Sequence, residues 1–230
     1  MAHYNIAPPA GTTGVAVLTG QRPLLISAPH ATRHWRRNAW KSEDEYTAAW
    51  AYWLHEQTGA HALIATHRLN PDPHDDDDRS RYKQILGETI RAHDIRLVLD
   101  LHGARGDRDF GVALGTINGQ TCQPYEDNIV LGLERAGVQR AIVAPSLDRL
   151  VLNTARYAGG THQSTVTRYV WGELGVPAIQ IEVNEWVRIV ERLPTSYHAE
   201  HRIAPDFRGD PVRIARVLTG LRDIIETIIE

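Results

Sequence analysis

The sequence contains a single cysteine, Cys122, among its 230 residues. One cysteine cannot form a disulfide within the chain, and a zinc site of the finger type needs several thiolates, so both features are excluded. Any metal site must therefore use histidine and carboxylate ligands. The 12 histidines of the sequence make such a site feasible.

The sequence also lacks a strong excess of charge and a long apolar run. A formal net charge of −3 gives no electrostatic reason to expect nucleic acid or an anionic membrane as a partner. No stretch approaches the roughly 18 apolar residues of a membrane-spanning helix, and residues 1–5 lack a basic segment followed by an apolar one. These absences predict a cytoplasmic protein.

Strand-like and helix-like patterns alternate along the chain, and neither a repeat nor a low-complexity linker marks a domain boundary. With 42% hydrophobic and 23% charged residues, the chain is long enough to bury a full core and short enough for one domain. The sequence therefore predicts a single domain over residues 1–230 with an α/β fold. We expect a three-layer α/β/α sandwich around a mixed, mostly parallel central sheet, of unspecified strand order.

Hydrophobic periodicity and capping residues predict where the individual elements lie. Residues 42–45 resemble a capping box that opens a helix ending at Gly59, and Asp210 with Pro211 begins the last helix. Further helices are predicted over residues 82–93, 126–136 and 164–174, and strands over 24–30, 62–66, 95–103, 110–114 and 177–182. Residues 70–81 are expected to form an exposed loop, whose four aspartates at 75–78 lack the ligand spacing of a calcium site.

Three predicted strands end in a residue that can bind a metal or act beside one, namely His30, His102 and Glu182. In an open α/β sheet the ligand crevice lies beyond the carboxyl ends of the parallel strands, so these side chains can converge there. A single histidine at a strand end is more often held by ordinary hydrogen bonds. Two such histidines together with a glutamate favour a metal hydrolase.

Residues close to His102 add to this hypothesis. Asp100 lies two residues earlier on the same strand and so on the same face, where a carboxylate can orient a metal-binding imidazole. Gly103 predicts a sharp turn at the rim of the sheet. Arg105 is placed to bind a substrate carboxylate, with an ordinary surface arginine as the alternative.

A catalytic zinc usually takes three protein ligands and leaves one position for water. Candidates for a third ligand are the acids at the start of the helix after His30, namely Glu43, Asp44 and Glu45, and sequence spacing does not choose among them. Glu182 closes an apolar strand, so desolvation should raise its pKa and suit it to general-base catalysis. A salt bridge with an arginine is the alternative role for Glu182.

Four motifs resemble, in order and spacing, the N-formylglutamate amidohydrolase family; they are residues 27–30, 44–47, 99–103 and 179–184. The family is related to the zinc carboxypeptidases and to the aspartoacylase group, which share a three-layer α/β/α fold around one zinc. The resemblance therefore implies one zinc per chain, with His30, Asp44 and His102 as its ligands. It also implies that Glu182 is the general base, and it selects Asp44 among the three acids.

The chain departs from the family pattern at positions that bear on the substrate. Family members usually have glycine two residues after the first histidine, where this chain has Thr32. Family members also carry an arginine followed four residues later by the stretch Asp-Leu-Asn-Arg. Arg68 and Asp72 match the first arginine and the aspartate of this pattern, but residues 73–75 are Pro-His-Asp. The arginine that ends the family stretch is therefore missing. We expect the substrate carboxylate to be bound by one or more of the arginines Arg68, Arg79, Arg81 and Arg105.

The predicted function is that of a zinc-dependent amidohydrolase acting on a small N-acyl amino acid, with specificity moved away from N-formylglutamate itself. His162, in a segment that the resemblance places near the substrate, either donates a hydrogen bond to an oxyanion or belongs to a plain capping turn. The alternatives within enzymes are a carboxypeptidase-like peptidase and another deacylase. An alternative of a different class is a non-catalytic binding protein for an anionic metabolite.

Overall fold

The computed structural model describes residues 2–74, 80–160 and 164–228. Its strands are β1 (Val15–Leu18), β2 (Arg22–Ala28), β3 (His34–Arg36), β4 (Ala39–Lys41), β5 (Ala60–Ala65), β6 (Leu97–Ala104), β7 (Val112–Gly115), β8 (Leu150–Leu152) and β9 (Ala178–Asn184). Its helices are α1 (Thr47–Thr58), α2 (Arg81–Ala92), α3 (Glu126–Arg135), α4 (Val166–Leu174), α5 (Glu185–Arg188), α6 (Tyr197–Glu200) and α7 (Pro211–Thr227).

The central sheet has the strand order β1-β5-β2-β6-β9-β7-β8. Strands β5, β2, β6 and β9 run parallel to one another. Strand β7 pairs parallel with β8 but antiparallel with β9, and β1 pairs antiparallel with β5 at the opposite edge. The predicted mixed, mostly parallel sheet is therefore confirmed. Strands β3 and β4 form a separate hairpin.

Helices cover both faces of this sheet and complete the predicted α/β/α sandwich. On one face α1 packs against β2 and β5, and α7 packs against α1 and α3. On the face to which Asp100 points, α4 packs against β6 and β9 and contacts α2. Strand β9 is buried along its whole length, as expected for an apolar strand covered on both sides.

Local capping signals set several helix ends as predicted. Gly59 and Gly175 adopt left-handed backbone with φ of 70° and 67° and end α1 and α4. Asp210 accepts hydrogen bonds from the backbone amides of Val212 and Arg213 and begins α7, with Pro211 in the first turn. Within the described ranges no helix combines the length and the apolarity needed to cross a membrane.

The predicted capping box at residues 42–45 is wrong. Helix α1 begins at Thr47, and its N-terminal capping position is Tyr46, which has φ of 69° and makes no side-chain capping hydrogen bond. The Glu45 carboxylate lies instead 3.0 Å from Nε of Arg192. Glu45, which the local spacing predicted as a capping residue of this helix, is therefore paired with the buried Arg192 from a distant part of the chain. Helix α4 likewise starts later than predicted, with Thr165 rather than residue 164 as its cap.

The sequence patterns also missed short elements. The hairpin of β3 and β4 lies in a segment for which no strand was predicted, and Trp35 packs edge-on against Trp40 with ring centroids 5.3 Å apart. Strand β8, of three residues, is too short for a periodic pattern. Strand β1, of four residues, was also not predicted. The predicted exposure of the loop at 70–81 is wrong for Asp72, His74 and Ser80, which are buried. The aspartate run at 75–78 lies outside the described residues.

Candidate active site

A cavity of about 540 Å³ opens where β2, β6 and β9 end. Among the residues that line it are His30, Asp44, His102 and Glu182. His30 lies two residues beyond β2, whereas His102 and Glu182 lie near the carboxyl ends of β6 and β9 and face each other in register. The parallel sheet thus brings the predicted strand-end residues together at one edge.

Asp44 lies between the two histidines. Its Oδ2 atom is 3.2 Å from Nδ1 of His102 and 3.8 Å from Nδ1 of His30. The backbone amide of Asp44 also donates a hydrogen bond of 2.7 Å to the carbonyl of His30, which ties the start of α1 to the end of β2. One carboxylate oxygen of Asp44 thus lies within 3.8 Å of a ring nitrogen of each histidine.

The outer nitrogens of both imidazoles face buried carboxylates. Nε2 of His30 lies 2.8 Å from Oδ1 of Asp72, and Nε2 of His102 lies 3.1 Å from Oδ2 of Asp100. Asp100 is itself held by the hydroxyl of Ser27 at 2.9 Å. Metal-binding histidines usually carry such a carboxylate on the nitrogen that does not bind the metal, because it fixes the ring and raises its basicity.

The two separations between Asp44 and the histidines are compatible with a zinc ion. Tetrahedral zinc at its usual bond lengths places its ligand atoms about 3.3–3.6 Å apart, and the separations of 3.2 and 3.8 Å around Asp44 bracket that range. Two imidazoles and one carboxylate also leave a fourth position open, as catalytic zinc sites do. One nitrogen each of His30, His74 and His102 also lie within 4.8 Å of one another. Asp44 is anionic, with its pKa held at about 2, whereas burial lowers the pKa of His74 and keeps that imidazole neutral, so Asp44 offsets the charge of a cation better than His74 does.

The electrostatics agree with a cationic centre between these side chains. Burial raises the pKa of Asp44, but the hydrogen bond from His102 and the adjacent imidazoles outweigh it and hold that pKa at about 2. Burial also opposes charge on His102, yet the carboxylates of Asp100 and Asp44 hold its pKa well above the ordinary value. Burial and the neighbouring His34 keep the pKa of His30 low. Both carboxylates beside His102 are therefore anionic at neutral pH and favour positive charge between them.

Glu182 has the environment of a general base. It is buried beside the histidines, and its Oε1 accepts a hydrogen bond of 2.6 Å from the side-chain amide of Gln180. Burial raises the pKa of Glu182 to about 7, with the Asp44 charge adding to the rise and His102 opposing it. No arginine or lysine of the described residues lies within 4 Å of its carboxylate, so the structure does not show the salt bridge considered as its alternative role.

A buried arginine that sequence patterns missed joins the three segments of the site. Arg188 donates a hydrogen bond of 2.6 Å from Nε to the carbonyl of Glu45, and Nη1 donates to the carbonyls of Ala104 and Val183. Glu45 is adjacent in sequence to Asp44, Ala104 lies two residues after His102, and Val183 is adjacent to Glu182. A Cβ atom on Gly103 would lie 2.5 Å from Cζ of Arg188. Gly103 thus gives room to this guanidinium and does not form the predicted turn, because β6 continues through it.

The three acids at the start of α1 have different surroundings. Glu43 is buried 3.3 Å from Nε of Arg33 and accepts a hydrogen bond from the backbone amide of Tyr197. Glu45 is bound by Arg192 on the same side of the helix start. Asp44 alone of the three lines the cavity.

Only one of the three predicted arginines that the structure describes lines the cavity. Arg105 does so, with its guanidinium 3.3 Å from the carboxylate of Asp107. Arg68 stacks over the ring of Trp40, with Cζ 4.8 Å from the centroid, and Arg81 lies on the exposed side of α2 beside Gln84. Both side chains are thus engaged elsewhere, and neither is among the cavity-lining residues. His162 and Arg79 lie outside the described residues.

Other side chains of the cavity were not predicted. His34 and His74 are buried, and each has an Nε2 atom with no hydrogen-bond partner among the described residues. In the family pattern Asp-Leu-Asn-Arg that begins at Asp72, His74 occupies the position of the asparagine. This alignment was the one sequence signal that pointed to His74. The cations Arg36, Lys41, Arg108 and Arg156 also line the cavity. No sequence signal pointed to these four, because their elements are short hairpin strands and loops.

Comparison with solved structures identifies proteins with the same fold. N-formylglutamate amidohydrolase from Ralstonia eutropha JMP134 is similar with a TM-score of 0.59 at 16% sequence identity, over 95% of this chain and 97% of that one. Gene product Atu2144 from Agrobacterium tumefaciens has a TM-score of 0.52 at 13% identity, over 92% of each chain. The chain therefore has their fold, and the family resemblance of the four motifs agrees with it. No protein-family model matches the sequence, and the comparison with curated proteins found no match.

Proposed function

We propose that this protein is a zinc-dependent amidohydrolase that cleaves the amide bond of a small N-acyl amino acid. The observation that carries the proposal is that His30, Asp44, His102 and Glu182 line one cavity, with Oδ2 of Asp44 within 3.8 Å of a nitrogen of both histidines. Similarity of fold to N-formylglutamate amidohydrolase supports the same reaction class.

The ligands have separate tasks in this proposal. His30, Asp44 and His102 hold one zinc per chain, and Asp72 and Asp100 orient the two imidazoles from behind. A bound zinc would polarise the scissile carbonyl and lower the pKa of water toward roughly 7. Asp44 and the two imidazoles would hold the ion at the rim of the cavity.

Glu182 performs the proton transfers. With its raised pKa it accepts a proton from the attacking water at neutral pH and then returns it to the leaving amine. The hydrogen bond from Gln180 fixes the carboxylate toward the centre. Cavity arginines, Arg105 among them, bind the carboxylate of the substrate.

The proposal is tested by zinc analysis of the purified protein together with a hydrolysis screen of N-acyl amino acids. We expect one zinc per chain and release of the free amino acid, and we expect His102→Ala to lose both. His201→Ala, which changes an exposed histidine away from the cavity, is the matched control and should keep both.

Other outcomes identify the alternatives. Zinc binding with cleavage of C-terminal peptide bonds, and none of N-acyl amino acids, would indicate a carboxypeptidase-like enzyme. A protein that binds anionic metabolites with neither zinc nor hydrolysis would be a binding protein, and the proposal would be wrong.

A further inference from the structure

Cationic side chains approach the cavity from two opposite sides of the candidate zinc site. On this basis, and resting on the proposed amidohydrolase function, we propose that the substrate carries an anionic group on its acyl part as well as on its amino-acid part. A dicarboxylic acyl group such as succinyl has this chemistry, whereas formyl and acetyl do not.

One cationic side is the hairpin of β3 and β4, which follows β2 and bridges to Leu69 beyond β5. Arg36 and Lys41 point from it into the cavity. Nε of Arg36 lies 3.1 Å from Oδ2 of Asp72, a carboxylate that already serves His30. Lys41 has no carboxylate within ion-pair distance in the part of the chain that the structure describes. This side therefore keeps a net positive charge.

The other cationic side consists of the loops that follow β6 and β8. Arg105 and Arg108 share the single carboxylate of Asp107, at 3.3 and 3.5 Å. Arg156 lies over the ring of Tyr157 and has no carboxylate partner among the described residues. Three arginines against one aspartate leave this side positive as well.

The sheet order separates the two sides. The hairpin follows β2, whereas Arg108 and Arg156 both contact Tyr157, whose ring packs on Phe110 just before β7. Strands β6 and β9 lie between β2 and β7 in the sheet. At the usual spacing of neighbouring strands, β2 and β7 are about 14 Å apart. His102 and Glu182 lie on β6 and β9, in the middle of this span. A scissile amide bound there has a positively charged wall beyond each of its ends.

The two walls distinguish substrate classes. An N-formyl or N-acetyl amino acid carries carboxylates on the amine side alone, so one wall would face an uncharged group. Unpaired cations that line a cleft attract anions to it and bind carboxylates through charge-assisted hydrogen bonds. A substrate with anions at both ends uses both walls.

The test uses the zinc-loaded enzyme and three substrates matched in size: N-succinylglutamate, its analogue with the succinyl carboxylate replaced by a primary amide, and its analogue with the glutamate α-carboxylate replaced in the same way. Each neutralised analogue should lose about 10-fold to 100-fold in kcat/KM, the range expected for one charge-assisted hydrogen bond. Equal kcat/KM for N-succinylglutamate and its acyl-neutral analogue would overturn the inference while leaving the amidohydrolase proposal intact. No turnover of any N-acyl amino acid by zinc-loaded protein would refute the proposed function and this inference with it.

Two variants test which cationic side of the cavity binds which end of the substrate. Lys41→Gln and Arg156→Gln each remove a cation without leaving a carboxylate unpaired, and Arg222→Gln on the exposed side of α7 is the control. We expect Lys41→Gln to abolish discrimination at one end of the substrate and Arg156→Gln at the other, with bound zinc unchanged. Loss of discrimination at the same end in both variants, or at neither end, would show that the walls do not bind separate anions.

Discussion

Among single residues, Glu182 carries the strongest mechanistic prediction. Glu182→Gln keeps the size of the side chain and removes its proton acceptor, so turnover should fall by roughly 10²-fold to 10⁴-fold, the range for losing general-base catalysis. Zinc content and melting temperature should change little, because the carboxylate is not one of the three proposed ligands.

Measuring zinc, melting temperature and turnover on this one variant separates three roles. Loss of zinc, partly restored by added zinc, would make Glu182 a ligand. A lower melting temperature with normal turnover per folded molecule would make it structural. Near-normal turnover with zinc bound would end the mechanism proposed above.

Arg188 should act through the segments that it joins. Arg188→Lys keeps the charge but cannot reach the carbonyls of Glu45, Ala104 and Val183 together, so buried carbonyls lose their donors. Each such loss typically costs about 1–3 kcal/mol of unfolding free energy. We expect a decrease of that size in urea denaturation and weaker zinc binding, since Asp44, His102 and Glu182 all flank these carbonyls.

The exposed Arg222→Lys should stay within about 0.5 kcal/mol of the original protein. If Arg188→Lys were destabilised but bound zinc with unchanged affinity, Arg188 would be important for folding alone and would not position the site.

At the scale of elements, the start of α7 is fastened to the segment before β8 by an ion pair away from the cavity. Arg213 donates hydrogen bonds of 2.9 Å from Nε and Nη2 to the two carboxylate oxygens of Asp148. These bonds hold the pKa of Asp148 below its ordinary value of 3.8. Because the folded-state pKa is lowered, the pair stabilises the protein above the unfolded-state pKa and stops doing so as the pH falls through the folded-state pKa.

Asp148→Asn should therefore lower the unfolding free energy by up to about 1 kcal/mol at pH 7, the usual limit for a partly exposed pair. The difference from the original protein should stay constant from pH 7 to about pH 5 and shrink below pH 3.8. Urea denaturation across this range measures it. A difference that shrank between pH 7 and pH 5 would assign the effect to another group.

For the whole molecule, zinc should stabilise the fold because the ligands come from three separate segments. His30 follows β2, Asp44 precedes α1, and His102 lies on β6, so unfolding disperses them. Free zinc at 100 times its dissociation constant adds about 2.7 kcal/mol, which for a chain of this size raises the melting temperature by about 5–10 °C. A chelator should reverse the shift.

Asp44→Ala should abolish most of this shift, while Glu43→Ala, which changes a neighbouring acid bound to Arg33, should keep it. A shift of equal size in both variants would reopen the choice of the third ligand. No shift with zinc in the original protein would refute the metal site.

The sequence by itself determined five of the nine strands of the described residues, several helix ends and the sheet edge at which His30, His102 and Glu182 lie. Buried parallel strands are continuous apolar runs, and caps such as Gly59, Gly175 and Asp210 depend on residues a few positions away, so both are readable locally. His30, His102 and Glu182 could be grouped because the carboxyl ends of parallel strands share one edge. Where a strand has only three residues, as in the hairpin and β8, the sequence contains no readable period.

Only the tertiary structure decided which side chains reach the cavity. Glu43, Asp44 and Glu45 are consecutive, and what separates them is contact with Arg33 and Arg192 from other parts of the chain. The arginines at the cavity come from a hairpin and two loops that the strand order 1-5-2-6-9-7-8 places around one edge. Such neighbours depend on distances between elements remote in sequence, and a single sequence contains no local record of those distances.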